Sequence, residues 1–379
     1  MTHIRFLRAC KGNKNPLIGK EKVIWALLAL ILFIISECND VVERYYASGV
    51  YPYISVALRF ITGFIPFSVG DFFYLFILVY FIIKLFLWLK CLKKHSTDNF
   101  FAVIFVSIIT GLLKLYVVFM VLWGLNYNRA SIDKQLQLAP HNYDTASISL
   151  ITNELIDTVN SIRRKLPSDK LPVYDRSVIV KEAVHCYSTA SLTNKNFNYR
   201  LPAVKQTVFT PLADYAGFLG YYNPFSGEAQ LRTDIPNVMI PYIACHEMAH
   251  QLGYAGEDQA NFVGYLVCRV SNDPFFRYSV YLDLLNYALA EQYRLYSTKT
   301  NFKRFEMVIQ ENRQRMDTLV KLDRKLIRQF FDKRRNNVAP IVSTLYDQYL
   351  RMNKQFAGIG SYDLVVKWLI AYKAKYGKI

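Results

Sequence analysis

Three long apolar stretches lie in the first third of the chain, and amphipathic patterns follow them. The apolar stretches cover residues 23–38, 72–89 and 100–125. A helix needs about 20 apolar residues to cross a bilayer, with a range of roughly 17–25, so the last two are long enough and the first is marginal. We therefore predict an N-terminal membrane region, residues 1–125, with about three transmembrane helices. Residues 51–67 combine prolines, Arg59 and apolar positions at helical spacing, which indicates an interfacial amphipathic segment.

The remainder of the chain has mainly helical periodicity. Apolar residues recur every three or four positions over residues 148–162, 177–192, 256–270, 275–296, 302–334, 340–354 and 362–375. The period shortens to two in residues 217–222 and 228–232, on either side of a turn rich in Asn, Pro and Gly. This pattern predicts a strand–turn–strand unit. We therefore expect a helix-rich α+β domain with a small antiparallel sheet over residues 126–379.

Basic residues flank the apolar stretches unevenly. They concentrate before the first stretch and between the second and third, at Arg5, Arg8, Lys11, Lys14, Lys20, Lys22, Lys90, Lys93 and Lys94. The connection after the first stretch holds only Arg44 and Arg59 against four acidic residues. Cytoplasmic loops are enriched in Lys and Arg, so three spans would place the domain after residue 125 outside the cytoplasm.

The net charge and the cysteines exclude several kinds of partner and site. The formal net charge is +17, but no zinc-finger spacing or RNA-binding motif accompanies it, so we expect no nucleic-acid partner. Anionic lipid is the expected partner of the N-terminal charge. None of the six cysteines forms a CxxC pair. Beyond residue 125, Cys186, Cys245 and Cys268 form no disulfide framework, and we expect Cys245 and Cys268, in apolar helical surroundings, to be buried thiols.

The chemistry is concentrated in five residues, His246-Glu247-Met248-Ala249-His250. Two histidines four residues apart on a helix project from the same face, so both imidazoles can bind one tetrahedral zinc ion. A carboxylate between them can take a proton from a water that the metal activates and pass it to a leaving amine. Pro241 suits the first turn of such a helix, and Gly253 lies where its C-terminal cap belongs.

A catalytic zinc ion needs a third protein ligand, and a carboxylate is the best candidate. A third histidine six residues after His250 would complete a common metalloprotease pattern, but position 256 is Gly. If the chain turns through residues 253–256 and starts a new helix, Glu257 lies in its first turn and faces the metal. Asp258 is the less favoured alternative. Asn261, one turn later, either supports a ligand histidine or makes an ordinary polar contact.

The motif extends into a longer block that resembles a known family. Residues 246–262, together with Trp123-Gly124-Leu125-Asn126-Tyr127, Gly220-Tyr221-Tyr222-Asn223-Pro224 and Gly360-Ser361-Tyr362, are similar to an uncharacterised bacterial membrane family, domain of unknown function 3810. The block is also similar to gluzincins, zinc peptidases whose third ligand is a Glu on a following helix. The resemblance implies a zincin-like (gluzincin) fold, with the motif helix and third ligand in residues 236–270 and a C-terminal helical part in residues 275–379.

By the gluzincin resemblance, a strand before the motif helix pairs with an extended substrate, and residues 217–222 or 228–232 would do so here. A cationic or phenolic side chain should stabilise the oxyanion. The candidates are Tyr222, Arg232, Arg277, Tyr278 and His185.

Together these features predict a membrane-anchored zinc metallopeptidase. It would hold one zinc ion per chain on His246, His250 and Glu257, use Glu247 as general base, and act on a peptide or protein. The resemblance implies a bacterial inner membrane location. One alternative is a signalling or regulatory membrane protein whose zinc domain binds a peptide without turnover. A structural zinc site is a weaker alternative, since such sites are usually rich in Cys. No sequence feature indicates an oligomeric state.

Overall fold

The computed structural model describes residues 19–94, 98–139, 142–352 and 365–379. Two parts of the sequence interpretation lie outside these ranges, the basic tail before residue 19 and the Gly360-Ser361-Tyr362 motif. The chain forms two compact units. The first comprises Met1–Tyr51 and Val69–Arg129, and the second comprises Pro52–Ser68 and Ala130–Ile379. The boundary predicted near residue 125 stays a prediction, and the contacts place the early segment Pro52–Ser68 with the C-terminal residues.

The first unit consists of apolar helices. They are α1 (Lys20–Ser36), α3 (Val69–Lys94) and α4 (Asp98–Leu122), with a π-helical segment at Val42–Val50 and a 3₁₀ turn at Gly124–Asn128. Within them, Val69–Lys90 and Ile104–Leu122 are long and apolar enough to cross a membrane. Helix α1 has only 17 residues and adds a third span only if it and Asn39–Gly63, bent by 95°, count as one. The chain therefore has the helices of a membrane protein, with two or up to three spans.

The second unit is helix-rich, as predicted. Its helices are α2 (Tyr51–Gly63, from Pro52 onward), α5 (Ile132–Leu136), α6 (Thr145–Arg163), α7 (Arg176–Ser191), α8 (Thr210–Ala216), α9 (Ile240–Gln251), α10 (Glu257–Cys268), α11 (Pro274–Lys299), α12 (Phe302–Arg315), α13 (Thr318–Asp332), α14 (Ala339–Met352) and α15 (Val365–Tyr376). The predicted helices at residues 148–162, 177–192, 256–270 and 275–296 are confirmed. The short helix α8 was not predicted.

The single helix predicted over residues 302–334 is wrong, because the chain breaks between α12 and α13. Met316 is extended, with a ψ of 134°, and its side chain is buried. The amide of Asn160 bonds to the backbone on both sides of the break. Its nitrogen donates to the Arg315 carbonyl at 2.9 Å, and its oxygen accepts from the Asp317 N–H at 2.9 Å. A tertiary partner thus satisfies groups that a continuous helix would have bonded internally.

A three-stranded sheet packs beside the motif helix. Its strands are β1 (Val204–Gln206), β2 (Gly220–Asn223) and β3 (Glu228–Leu231), in the order β1-β3-β2. The antiparallel pair β2–β3 confirms the predicted strand–turn–strand unit. The predicted small antiparallel sheet is present only in part, since the third strand, β1, pairs with β3 in parallel. A three-residue strand carries too little periodicity to be recognised in the sequence.

Helix α9 lies at the centre of the second unit. All of its residues from Ile240 to Gln251 are buried. Helix α10 approaches it closely at Gly264, where an added Cβ would lie 3.3 Å from the backbone nitrogen of His246. The absence of a side chain at Gly264 thus lets the two helix backbones approach closely. Cys186, Cys245 and Cys268 are buried and unbridged, which confirms Cys245 and Cys268 as buried thiols.

Candidate metal centre

The two motif histidines lie one turn apart on α9 with their rings converging. Their Nε2 atoms are 3.1 Å apart. Pro241 lies in the first turn of the helix, and the helix ends before Gly253, whose φ of +85° reverses the chain in a conformation that favours glycine. The helix thus begins and ends where the sequence predicts, which fixes the position of His250 in its last turn.

Glu257 completes the cluster from the next helix. It opens α10, as predicted, and its Oε2 lies 3.3 Å from Nε2 of His246 and 3.6 Å from Nε2 of His250. Asp258, the alternative ligand, instead accepts a hydrogen bond from the indole of Trp368 at 3.2 Å. The short turn after α9 and the close packing of α10 together direct Glu257, and not its neighbour, towards the histidines.

The three converging atoms match the spacing of zinc ligands. Ligand atoms about 2.0–2.2 Å from a tetrahedral zinc ion lie roughly 3.3–3.5 Å from one another, close to the separations of His246, His250 and Glu257. His246, Glu247 and His250 also form a group whose potential ligand atoms all lie within 4.8 Å of one another. Two imidazoles and a carboxylate are donors that zinc favours at catalytic sites. The residues present therefore fit the metal.

Neighbouring groups orient the ligands. The Nδ1–H of His250 donates to the Tyr254 carbonyl at 2.7 Å, so Nε2 is the atom that can bind a metal once it has lost its proton. The hydroxyl of Tyr346 on α14 donates to Oε1 of Glu257 at 2.9 Å, while Oε2 faces the histidines. Oδ1 of Asn261 accepts a hydrogen bond from the Tyr242 hydroxyl at 3.3 Å, whereas Nδ1 of His246 has no hydrogen-bond partner among the described residues. The support of a ligand histidine by Asn261 therefore stays a prediction, and the ordinary polar contact of Asn261 is the one with Tyr242.

Glu247 lies in a pocket formed with strand β2. It is 4% exposed, and its Oε2 has no hydrogen-bond partner among the described residues. An added Cβ at Gly220 would lie 2.6 Å from Oε1 of Glu247, so only a glycine leaves room for the carboxylate. Burial, reinforced by the charge of Glu257, raises the pKa of Glu247 to about 8 against the opposing effect of His250. A metal cation beside the carboxylate would counter this effect.

The metal-free ligands form a charged pair. Burial lowers the pKa of His250, but the carboxylates of Glu257 and Glu247 outweigh it and raise the pKa to about 9. Burial favours protonation of Glu257, yet the neighbouring His250 and His246 hold its pKa well below the usual range. Burial also lowers the pKa of His246. At neutral pH a metal must therefore displace a proton from His250, so its affinity depends on pH.

The sheet order distinguishes the two strands proposed to bind a substrate. Strand β3 is central and pairs on both sides, so its backbone groups are already used. Strand β2 lies at an edge of the sheet, and its first residue, Gly220, contacts Glu247. Of the two candidates, β2 is therefore the strand that lies at an edge of the sheet.

The structure places several oxyanion candidates in other interactions. Arg232 forms ion pairs with Asp214 and Asp234, each at 2.6 Å, and the Tyr278 hydroxyl donates to Asp323 at 2.6 Å. His185 is exposed on α7. Tyr222 and Arg277 stay candidates.

Tyr346, which contacts a predicted ligand, was not singled out from the sequence. One tyrosine among 28, on a predicted helix, carries no distinguishing signal.

Comparison with known proteins places this site in a family. A family described as protein of unknown function (DUF3810) matches residues 46–370, most of the chain. The chain belongs to this family. No curated protein and no solved structure matches it. The matched residues include Pro52–Ser68, the two apolar helices and the histidine motif. The family description assigns no chemistry, which must be argued from the site.

Proposed function

We propose that this DUF3810 protein is a membrane-anchored zinc metallohydrolase that cleaves peptide bonds. One zinc ion would be held by His246, His250 and Glu257. The observation that carries the proposal is the convergence of these three side-chain atoms, 3.1–3.6 Å apart, beside the partnerless carboxylate oxygen of Glu247. A regulatory domain without turnover would not need a buried carboxylate beside its metal ligands.

The roles of the chain's own residues follow from this geometry. Zinc bound at the site would act as a Lewis acid towards a carbonyl and lower the pKa of a water molecule. Glu247 accepts the proton of the attacking water and transfers it to the leaving amine. Its burial excludes bulk water from that exchange, and Gly220 keeps the edge of β2 within contact distance. An extended peptide paired along β2 would present its scissile bond beside Glu247.

The decisive experiment measures metal content and peptide hydrolysis in the full-length chain. Wild type should bind about one zinc ion per chain. Glu247→Gln should keep the metal and lose hydrolysis, whereas His250→Ala should lose both. The exposed His185 provides a matched control, and His185→Ala should behave as wild type. A wild-type chain that takes up no zinc would refute the proposal, and a zinc-loaded chain that binds peptides without cutting them would favour the regulatory alternative.

Zinc affinity should also depend on pH in a defined direction. Metal-free His250 has a raised pKa of about 9, so zinc displaces one proton at any lower pH. Apparent affinity should rise about tenfold per pH unit up to that value and then level off. Competition with a chelator of known affinity measures the slope. A flat profile between pH 6 and 8 would contradict the raised pKa of His250, whereas the metal content of His250→Ala tests its assignment as a ligand.

We propose that the metal site lies outside the cytoplasm of a bacterial inner membrane. The distribution of Lys and Arg around the apolar stretches supports this orientation. Reporter fusions directly after Tyr127 test it: an extracytoplasmic reporter should be active there, and a cytoplasmic one inactive. The reverse result would place the site inside the cell.

A further inference from the structure

Helix α2 uses its polar side for packing. Ser55, Arg59 and Thr62 are only 1–3% exposed, although the helix lies among apolar segments of the sequence. Phe60 and Ile61 lie on its outer side and are more than half exposed. Because buried polar groups need partners, the polar side must be matched by groups of the second unit.

The partner of Ser55 is the end of the motif helix. Its hydroxyl donates to the backbone carbonyl of Gln251 at 2.5 Å. Gln251 is the last residue of α9 and directly follows His250. The last four carbonyls of a helix have no partner within the helix, so this hydroxyl satisfies one that would otherwise be buried without a bond. Residues 52–68 thus cap the helix that carries both histidines.

The side chain of Gln251 extends this connection. It is fully buried, and its oxygen accepts from the Tyr199 hydroxyl at 2.6 Å. Its nitrogen donates to the Ala203 carbonyl at 3.1 Å and to the Gly227 carbonyl at 2.8 Å. The guanidinium of Arg59 stacks on the Tyr199 ring, 4.4 Å from its centroid. The last residue of the motif helix is therefore held by three directed side-chain bonds, one of them to a ring that α2 covers.

Further bonds hold the remainder of residues 52–68 to the sheet. Thr62 donates to the Ser226 carbonyl at 3.2 Å, in the turn between β2 and β3. Lys205 on β1 donates to the Gly63 carbonyl at 2.9 Å and also to the Ile65 carbonyl. Gln230 on β3 donates to Ser68 at 2.7 Å. These bonds reach both strands of the parallel pair and the hairpin turn, so the segment cannot shift without disturbing the sheet beside the metal ligands.

We propose that residues 52–68 are a positioning element of the metal site and that Gln251 is its positioning residue. A rotation of the last turn of α9 would move His250 relative to Glu257, since the two ligands are separated by the short turn at residues 252–256. The bonds to Gln251 oppose that rotation. The inference rests on the proposed function only where it concerns zinc, because it also predicts a rigid helix end in the metal-free chain.

The test compares two substitutions with matched controls in the full-length chain. Gln251→Met keeps the volume and removes three hydrogen bonds, and Ser55→Ala removes a single hydroxyl. The controls are Gln329→Met and Ser48→Ala, at exposed positions outside the network. Each variant is assayed for zinc affinity by chelator competition, for the visible absorption spectrum of bound Co²⁺, for thermal unfolding, and for hydrogen exchange of amides 248–256 without metal.

Gln251→Met should weaken zinc binding about 10- to 100-fold and alter the Co²⁺ spectrum. Ser55→Ala should do the same to a smaller extent. Both should speed the exchange of amides 248–256 more than that of other buried amides, and the controls should match wild type. Wild-type affinity, spectrum and exchange in both variants would overturn the proposal, as would changes no larger than the global loss of stability.

Two outcomes separate this inference from the proposed function. If wild type binds no zinc, the proposed function fails and the exchange of amides 248–256 alone decides: faster exchange in the variants supports the positioning role, and unchanged exchange overturns it. If Gln251→Met does not fold, Ser55→Ala retains the test, because the loss of one hydroxyl leaves the packing intact.

Discussion

Helices α2 and α3 are consecutive in the chain and both look apolar, but they use their surfaces in opposite ways. Helix α2 buries Ser55 and Arg59 against the second unit and exposes aromatic residues. In α3, no residue of the most apolar stretch of 18 residues is buried, and large side chains such as Phe76 and Phe81 are more than half exposed. Exposed apolar surface on this scale suits lipid. Hydropathy records how apolar a helix is but not which of its faces finds a protein partner.

The sharpest way to test this difference is to remove each helix from the chain. A chain beginning at residue 130 lacks Ser55, which bonds to the Gln251 carbonyl, and Thr62, which bonds to the hairpin turn. It also lacks the segment whose carbonyls Lys205 binds. We expect it to aggregate or to bind no zinc, and co-expression of residues 50–68 should restore part of the folded material. Replacing residues 72–89 by an unrelated apolar sequence of equal length should leave unfolding and zinc binding unchanged. A folded, zinc-binding chain from residue 130 would contradict the comparison.

The next largest difference is expected when a charged residue of each helix is replaced by alanine and the free energy of unfolding is measured. Arg59 is 1% exposed and stacked on Tyr199, so Arg59→Ala leaves a cavity and removes a cation–π contact. We expect a loss of roughly 2–4 kcal/mol in the free energy of unfolding. Lys84 on α3 lies over Tyr80 at the helix surface, and Lys84→Ala should change it by less than about 0.5 kcal/mol. Thermal unfolding in detergent measures both, and equal effects would refute the distinction.

Glycines allow a smaller, more local comparison. Gly227 has a φ of +70°, and an added Cβ would lie 2.6 Å from Cβ of Leu58 on α2. Gly227→Ala should therefore lower the free energy of unfolding by about 2 kcal/mol, because the backbone is strained and the new methyl group clashes with α2. Gly111 on the apolar helix α4 has no atom within 4 Å of an added Cβ, so Gly111→Ala should be neutral or slightly stabilising. The same unfolding assay applies, and a neutral Gly227→Ala would mean that α2 does not pack against the hairpin.

The smallest expected effect concerns single hydroxyls. Thr62 shares its hydroxyl hydrogen between the Leu58 carbonyl within α2 and the Ser226 carbonyl outside it. Among the described residues, Thr110 bonds only to the Val106 carbonyl in its own helix. Thr62→Val should lower the free energy of unfolding by about 0.5–1.5 kcal/mol, and Thr110→Val should leave it almost unchanged. Chemical unfolding with several repeats can resolve this difference. A larger loss at Thr110 would reverse the order that the comparison predicts.

The candidate site was predicted from the sequence to an unusual extent. The four-residue spacing of His246 and His250, the glycines that end the helix, and the position of Glu257 are all local features, and the structure brings the predicted side chains together. Zinc ligation and peptide hydrolysis stay proposals. Tyr346 could not be predicted, because it is 89 residues from the carboxylate that it contacts.

By itself, the sequence determined what short-range spacing can encode: the apolar helices, most helix boundaries, the hairpin and the three clustered ligand candidates. Only the tertiary structure decided that Asn160 interrupts a helix, that β1 joins the sheet in parallel, that β2 and not β3 lies at the edge, and that Ser55 caps the motif helix from 196 residues away. The physical reason is that periodicity reports which residues share a face, whereas the partner of a face depends on the packing and hydrogen bonding of the whole chain.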